Sequence, residues 1–255
     1  MRTLLVIGIG TGNPEHMTMQ AISALNRADI VLVPRKGEEK VELADLRHEI
    51  CRRYLTNPDT RLIEFDLPVR DGSVSYQKAV DEWHQAIADT YRALLERHTA
   101  VDGKAAFLVW GDPAFYDSTL RILERLRDDP PCRIEVIPGI SSIQALAASH
   151  AIPLNEVAGS VHITTGRRLA EHGFPDDAES VLVMLDGGLS FDKLELDRFE
   201  IWWGAYLGSK DEIAISGPLA EVAGKIRATR AEARERHGWI MDTYLLRKRS
   251  GNLSS

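Results

Sequence analysis

The feature that most constrains this fold is a short apolar run that ends abruptly in a turn. Residues 105–110 read AAFLVW, and Gly111, Asp112 and Pro113 follow directly. The run is too short to span a membrane, and its length fits a strand buried on both faces, as in a parallel sheet. Glycine permits a sharp turn and proline fixes the next φ. Such a turn places Asp112 outside the carboxyl edge of the sheet, where open α/β folds bind ligands.

Two further apolar runs end in turns of the same kind. LLVI at residues 4–7 leads into GIGTGNP, and IEVI at residues 134–137 leads into PGISS. Helical patterns between these runs predict alternating strands and helices, and therefore a mostly parallel sheet. In the second half, further strands are predicted at residues 161–164, 180–185, 201–206, 212–216 and 239–246, with helices near 192–199 and 218–236.

The predicted fold class is therefore α/β. We expect an N-terminal α/β domain over residues 1–152, with glycine-rich turns at its strand ends. A C-terminal α/β domain over residues 153–255 follows a hinge-like segment, AIPLN. A ligand cleft between two such domains is a common arrangement, and the C-terminal domain is expected to complete it.

Composition and charge disfavour several classes of partner. The net charge of −7, from 31 basic and 38 acidic residues, argues against a nucleic-acid binder, which usually carries a basic surface. No apolar run approaches the roughly 20 residues of a membrane helix, and the apolar start ends in glycines without a cleavage site. Cys51 and Cys132 offer neither a disulfide nor a metal framework. We expect a cytoplasmic protein that binds no nucleic acid, membrane or metal.

The glycine-rich loop after the first strand raises a nicotinamide oxidoreductase as an alternative. In a G-x-G-x-x-G pattern, Asn13 would occupy the last position, and the next helix is predicted to start only near Thr18. The second strand ends in Pro34 and Arg35, with no acidic residue to bind a ribose. This alternative is the weakest.

In their order along the chain, the motifs resemble those of the tetrapyrrole (corrin/porphyrin) methyltransferase family. The matching segments are GIGTGNPEHMTMQAISALNRADIVLVP, FLVWGDPAFYDSTLRIL and IEVIPGISSIQALAASHAIPLNEV, with weaker matches at VLVMLDG and EIAISGPL. The resemblance implies a homodimer that binds S-adenosyl-methionine in a cleft between two α/β domains and leaves S-adenosyl-homocysteine. It also implies an anionic tetrapyrrole, a precorrin, as substrate.

The resemblance implies which residues contact the cofactor. They are Thr11, Trp110, Gly111, Asp112, Phe115, Tyr116, Ser141 and Ser142 in the first half, and Leu185, Asp186, Leu207 and Gly208 in the second. Thr11 and Asp186 depart from the family, in which many members have proline and methionine at these positions. Asp112 and Tyr116 are also the candidate catalytic residues. The alternatives are that Asp112 merely caps its turn and that Tyr116 packs in the core.

Basic residues after the second strand are candidates for substrate binding. Arg35, Lys36 and Lys40 could pair with the carboxylates of a precorrin, although a solvated charged loop is the alternative. In the helix that follows, Leu46 and Ile50 are predicted to face inward and Arg47 to lie on another face. The main prediction is methylation of a ring carbon of a precorrin, and the motifs do not fix which ring carbon it is. Two other functions stay open: methylation of a non-tetrapyrrole acceptor such as a diphthamide precursor, and non-catalytic binding of S-adenosyl-methionine.

Overall fold

The chain forms two compact units, Met1–Ser141 and Ser142–Ser255. The structure is a computed structural model that describes residues 1–35, 41–69, 75–127 and 131–249, with residues 41–45 and 76 described by their backbone alone. The division lies before helix α5 (Ser142–His150), whereas the sequence predicts a boundary after residue 152. Helix α5 counts with the second unit because it packs against strands of the second sheet.

The first unit is a five-stranded parallel sheet with helices between its strands. Its strand order is β3-β2-β4-β1-β5, and every neighbouring pair is parallel. The elements in chain order are β1 (Arg2–Gly8), α1 (Met19–Leu25), β2 (Ile30–Arg35), α2 (Val41–Tyr54), β3 (Arg61–Asp66), α3 (Tyr76–His98), β4 (Lys104–Val109), α4 (Thr119–Glu124) and β5 (Cys132–Ile137). The prediction of a parallel α/β sheet in this half is confirmed.

Both faces of this sheet are buried, which explains why its central strands are continuous apolar runs. Alternate residues of β4 face opposite sides. Ala106 and Leu108 pack with the helices α1 and α2, whereas Ala105 and Phe107 pack with α3 and α4. A strand with one solvated face would alternate apolar and polar residues instead.

The second unit is built on a mixed sheet of order β6-β7-β10-β8-β9. After α5 come β6 (Val161–Thr165), α6 (Gly166–His172), β7 (Ser180–Met184), β8 (Phe199–Ala205), β9 (Ile213–Pro218), α7 (Leu219–His237) and β10 (Asp242–Lys248). β6 and β7 are parallel, and β10 runs antiparallel between β7 and β8. The carboxyl ends of β6, β7 and β8 therefore share one edge of the sheet.

Two sequence predictions differ from the structure in this unit, and one helix was not predicted. The helix predicted near residues 192–199 is wrong: two short 3-10 turns, Ser190–Lys193 and Leu196–Arg198, flank an extended Leu194, and β8 begins at Phe199. Leu194 and Leu196 both pack against the core, which favours this extended link over a continuous helix. Helix α6 was not predicted, although Thr165 accepts the Arg168 N–H as its N-cap. The strand predicted from residue 239 begins at Asp242.

Candidate functional site

Three turns meet at the carboxyl edge of the first sheet, because β4, β1 and β5 are parallel neighbours. Gly111 N donates to Gly10 O at 2.8 Å, and Gly10 N donates to Gly111 O at 3.3 Å. This isolated antiparallel bridge joins the turn after β1 to the turn after β4. Asp112 Oδ2 accepts from Gly139 N at 2.8 Å and so joins the turn after β4 to the turn after β5. We call this arrangement of residues 8–14, 110–113 and 138–141 the turn junction.

Glycine is required where the backbones of the turn junction touch. A Cβ atom on Gly139 would lie 2.2 Å from Gly111 O and 2.8 Å from Gly8 Cα. A Cβ on Gly8 would lie 2.6 Å from Gly139 N. Gly111 itself has a φ of +68°, but a Cβ there would meet Ser141 Cα only at 3.7 Å and Thr11 Cγ2 at 3.9 Å. Three of the predicted cofactor residues, Thr11, Gly111 and Ser141, therefore surround one point of the junction.

Asp112 uses both carboxylate oxygens to organise this junction. Oδ1 accepts from Ala114 N at 2.8 Å and caps its own turn, while Oδ2 accepts from Gly139 N. The side chain is half-buried. Each carboxylate oxygen can accept more than one hydrogen bond, so this scaffolding leaves capacity for a ligand.

Thr11, where the resemblance implies a departure from proline, is buried against His16. It is only 3% exposed, and its N and Oγ1 lie 3.5 Å and 3.4 Å from His16 Nδ1. A backbone N–H can only donate, so Nδ1 of His16 is the acceptor for Thr11 N. Proline could not make the first of these bonds because it has no N–H.

The aromatic residues of the turn after β4 have different environments. Trp110 is half-buried and packs on the core beneath α1 and α2. Phe115 is half-buried, whereas Tyr116 is 43% exposed. The φ of Tyr116 is +51°, a left-handed conformation that is strained for a bulky residue. Strain of this kind concentrates at functional sites, and the exposure of Tyr116 argues against the core-packing alternative.

Arg47 is buried, which the sequence analysis did not predict. The side chain is 8% exposed, and its Nε donates to Leu108 O of β4 at 3.1 Å. Burial lowers the pKa of Arg47, and the nearby Tyr91 and Asp117 oppose that shift. The prediction that Arg47 lies on another face than Leu46 and Ile50 is wrong. A spacing of three residues from Ile50 was the signal that Arg47 shares the buried face.

The predicted substrate residues lie only partly within the described chain. Arg35 ends β2, is exposed, and pairs with Glu64 Oε2 at 3.2 Å and Asp66 Oδ2 at 3.5 Å. Hydrogen bonds from His48 and Arg35 lower the pKa of Glu64. A substrate carboxylate would compete with these acidic partners for Arg35. Lys36 and Lys40 lie outside the described residues.

In the second unit, Leu185 and Asp186 follow β7 and have opposite environments. Leu185 has a φ of +52° and is 63% exposed. Asp186 is 4% exposed, and its carboxylate accepts from Tyr244 OH at 2.6 Å, Ser190 N at 2.6 Å, Ser190 Oγ at 3.0 Å and Gly188 N at 3.0 Å. Asp186 therefore organises its own loop, and Leu185 is the side chain that the loop exposes.

A buried ion pair supports the same loop from α7. Arg230 Nη2 donates to the carbonyl oxygen of Asp186 at 2.9 Å, and its Nε donates to Asp242 Oδ2 at 2.8 Å. Trp203 Nε1 also donates to Asp242 Oδ2, at 3.0 Å. The backbone at Asp186 is thus held by side chains of α7 and the adjoining strands.

The remaining predicted contacts follow β8 at the same edge of the second sheet. Leu207 is 4% exposed and packs toward Gly204, where a Cβ would lie 2.6 Å from Leu207 Cδ2. Gly208 has a φ of +81°, and its N donates to Glu212 Oε2 at 2.6 Å. Gly208 is half-buried, whereas Leu207 is buried. Ser142, the last predicted contact, begins α5.

Neither a metal centre nor a membrane-spanning helix is found among the described residues. Within the described ranges, no group of three His, Cys, Asp or Glu residues is arranged to hold a metal ion. Among the helices of the described chain, none is long and apolar enough to cross a membrane.

Comparison with known proteins gives a consistent set of relatives. The family described as Tetrapyrrole (Corrin/Porphyrin) Methylases matches residues 3–223. The chain is 56% identical over 251 residues to a precorrin-6A synthase [deacetylating] from Sinorhizobium sp, covering 97% of this chain and 96% of that one. The crystal structure of a Corynebacterium diphtheriae protein described as related to cobalamin synthesis (CobF) superposes with a TM-score of 0.85 at 38% identity, covering 97% and 99% of the two chains. A uroporphyrin-III C-methyl transferase from Thermus thermophilus, complexed with S-adenyl homocysteine, shares the fold with a TM-score of 0.54 at 19% identity, covering 95% and 96%.

Proposed function

This chain belongs to the tetrapyrrole (corrin/porphyrin) methylase family, and on that premise we propose that it is a precorrin-6A synthase of cobalamin biosynthesis. In this proposal it transfers a methyl group from S-adenosyl-methionine to C1 of precorrin-5 and releases the acetyl unit of the substrate as acetate. The observation that carries the proposal is the 56% identity to the Sinorhizobium enzyme over nearly the full length of both chains.

The turn junction fits a cofactor that is held mainly by main-chain groups. Its three backbones approach closely, yet there is room beside Gly111. A Cβ atom built on Gly111 would lie at ordinary van der Waals distance from Thr11 and Ser141. The related Thermus thermophilus methyltransferase binds the product form of the same cofactor. In the second unit, the contacts we propose are the Leu185 side chain and the main chain at Leu207 and Gly208.

The chemistry of the reaction places separate demands on the protein. Bound S-adenosyl-methionine supplies an electrophilic methyl group whose transfer discharges a sulfonium cation. The protein must align that group with C1 and exclude bulk water from it. Loss of acetate requires one water molecule: its oxygen bonds to the acetyl carbonyl carbon, the bond from that carbon to C1 breaks, and the electron pair stays on C1 to accept the methyl group.

We propose Asp112 and Tyr116 as the residues that assist acetate release. A carboxylate oxygen of Asp112 can accept the proton that the water gives up, and the Tyr116 hydroxyl can donate to the acetyl oxygen as negative charge develops there. Glu15 and His16 follow β1 and are further candidates. Glu15 pairs with Arg53 at 2.9 Å, and Nδ1 of His16 lies 3.4 Å from Thr11 Oγ1.

Isothermal titration with S-adenosyl-homocysteine tests the proposal first, with NADH as the control ligand. Micromolar binding of S-adenosyl-homocysteine alone is the expected result. Binding of NADH alone would overturn the family-based proposal in favour of the oxidoreductase alternative. Binding of S-adenosyl-homocysteine without turnover of precorrin-5 would favour either a different acceptor or the non-catalytic alternative. We also propose a homodimer, for which light scattering should give twice the chain mass of 28.4 kDa.

A further inference from the structure

The pairing of β2 with β4 stops before either strand ends. Their register joins residues 30–32 to residues 105–107, but β2 continues to Arg35 beside β3 and β4 continues to Val109 beside β1. The connections that follow β2 and β4 also leave on opposite faces of the sheet. Helix α2 leads from β2 to β3 on one face, and α4 leads from β4 to β5 on the other. In open α/β sheets, the crevice at such a point is where ligands bind.

Pro34 accounts for the end of this pairing. Val109 is the register partner of Gly8 in β1. Val109 O accepts from the N–H of Ile9, the residue after Gly8, at 2.9 Å, so this carbonyl faces β1. Successive carbonyls of a strand point to opposite neighbours, so Leu108 O faces β2. Continuing the β2–β4 register would make Pro34 the residue that donates to Leu108 O. Proline has no N–H, so the ladder lacks its donor at this carbonyl.

Arg47 supplies a donor to the same carbonyl. Its Nε reaches Leu108 O from α2 at 3.1 Å. A buried guanidinium is expensive to desolvate, so its presence at a backbone carbonyl calls for an explanation beyond packing. The carboxylate of Asp117 lies close enough to offset part of that cost electrostatically. A charged donor also makes a stronger hydrogen bond than the backbone amide it replaces.

The turn after β4 depends on where this carbonyl is held. Leu108 lies three residues before Gly111, whose N–H and carbonyl bridge to Gly10, and four before Asp112, which accepts from Gly139. A shift at Leu108 would therefore move the short segment that leads through the bend at Trp110 into both connections. The carboxyl end of β4 thus has β1 on one side and Arg47 on the other.

We propose that Arg47 is a positioning residue that sets the carboxyl end of β4, and through it the turn at residues 110–113, in place of the backbone donor that Pro34 lacks. The proposal rests on the proposed function, since the ligand of that turn is S-adenosyl-methionine. Arg47 acts through the Leu108 carbonyl rather than by contact with the cofactor.

A rescue experiment tests this directly. The variants are Arg47→Met, Pro34→Ala and the double variant, with Arg52→Met as the matched control from the exposed face of α2. Each is titrated with S-adenosyl-homocysteine, and hydrogen exchange is measured in the peptide that contains Gly111. Arg47→Met should raise the Kd at least about tenfold and speed exchange locally, because a charge-assisted hydrogen bond is lost. Pro34→Ala restores an N–H opposite Leu108, so the double variant should regain part of the affinity.

The outcomes separate the inference from the function it rests on. Failure of the unmodified protein to bind S-adenosyl-homocysteine would refute the proposed function. If the unmodified protein binds and Arg47→Met binds within twofold of it, the positioning role is wrong. It is equally wrong if Arg47→Met binds weakly and the added Pro34→Ala restores nothing, because a general loss of packing would explain that result. Arg52→Met should match the unmodified protein in both measurements.

Discussion

Replacing Asp112 tests whether its carboxylate holds the turn junction together. In Asp112→Asn, one oxygen becomes an NH2 group that faces either Ala114 N or Gly139 N, so a donor meets a donor. An unmade buried hydrogen bond costs about 1–3 kcal/mol, and because Asp112 is half-buried we expect the low end, about 1 kcal/mol. Asp112→Ala loses both bonds and should cost about 2 kcal/mol of unfolding free energy.

Urea unfolding and titration with S-adenosyl-homocysteine should be measured together on these two variants. We expect stability and affinity to fall in the same order, with the alanine variant weaker than the asparagine variant. Asp89→Asn is the control, because Asp89 is an exposed carboxylate that pairs with Arg92 on the surface of α3. Unchanged stability with weakened binding would mean that the Asp112 carboxylate contacts the ligand and that its hydrogen bonds to the turns do not stabilise the fold. If neither quantity changes, the junction does not depend on Asp112 and the reasoning fails.

Three further predictions follow from contacts, backbone conformation and burial. Gly139→Ala should cost at least about 3 kcal/mol of unfolding free energy and abolish measurable binding of S-adenosyl-homocysteine, because its Cβ would lie 2.2 Å from Gly111 O. Leu185→Gly should leave stability within about 1 kcal/mol, since relief of left-handed strain offsets the added chain entropy, yet weaken that binding about tenfold by removing an exposed apolar contact. Burial raises the pKa of Cys51 from 9.0 to about 11; because the folded pKa is the higher one, stability should be complete below pH 9 and fall by about 2–3 kcal/mol as the pH rises to 11.

Each of these predictions has a matched control and a contradicting result. Gly187→Ala should be silent, since a Cβ there meets nothing within 4 Å; an equally silent Gly139→Ala would contradict the close packing of the turns. For Leu185→Gly, affinity that simply follows stability would show that the side chain does not contact the ligand. Cys51→Ala should remove the loss of stability above pH 9, and an unchanged pH profile in that variant would assign it to another group.

Local pattern was enough to predict the first sheet and its turns. Residues 105–110 are apolar without interruption because both faces of β4 are covered, and Gly111 and Pro113 end the strand where the turn begins. In the second unit the pattern was weaker. The link through Leu194 contains apolar residues at spacings compatible with a helix, and only its packing against the core decides for an extended chain.

What the sequence could not reveal are contacts between residues far apart in the chain. The burial of Arg47 is explained by its hydrogen bond to Leu108 O, sixty-one residues away. In our proposal, that carbonyl needs a donor because Pro34, on a third element, has no N–H. The family resemblance implied that Asp186 contacts the cofactor, which stays a prediction. Its position in the chain did not reveal that its oxygens accept from Tyr244 and from its own loop. Whether that loop binds the cofactor through Leu185 stays a prediction, and the glycine variant tests it.

A single reaction with precorrin-5 and methyl-labelled S-adenosyl-methionine tests directly whether the chain methylates C1 and releases acetate. Labelled product is analysed by NMR for the position of the methyl group, and acetate is quantified in the same sample. If the chain is a precorrin-6A synthase, we expect one labelled methyl group at C1 and one acetate for every S-adenosyl-homocysteine formed. A methyl group at any other ring carbon, or methylation without acetate, would contradict this assignment.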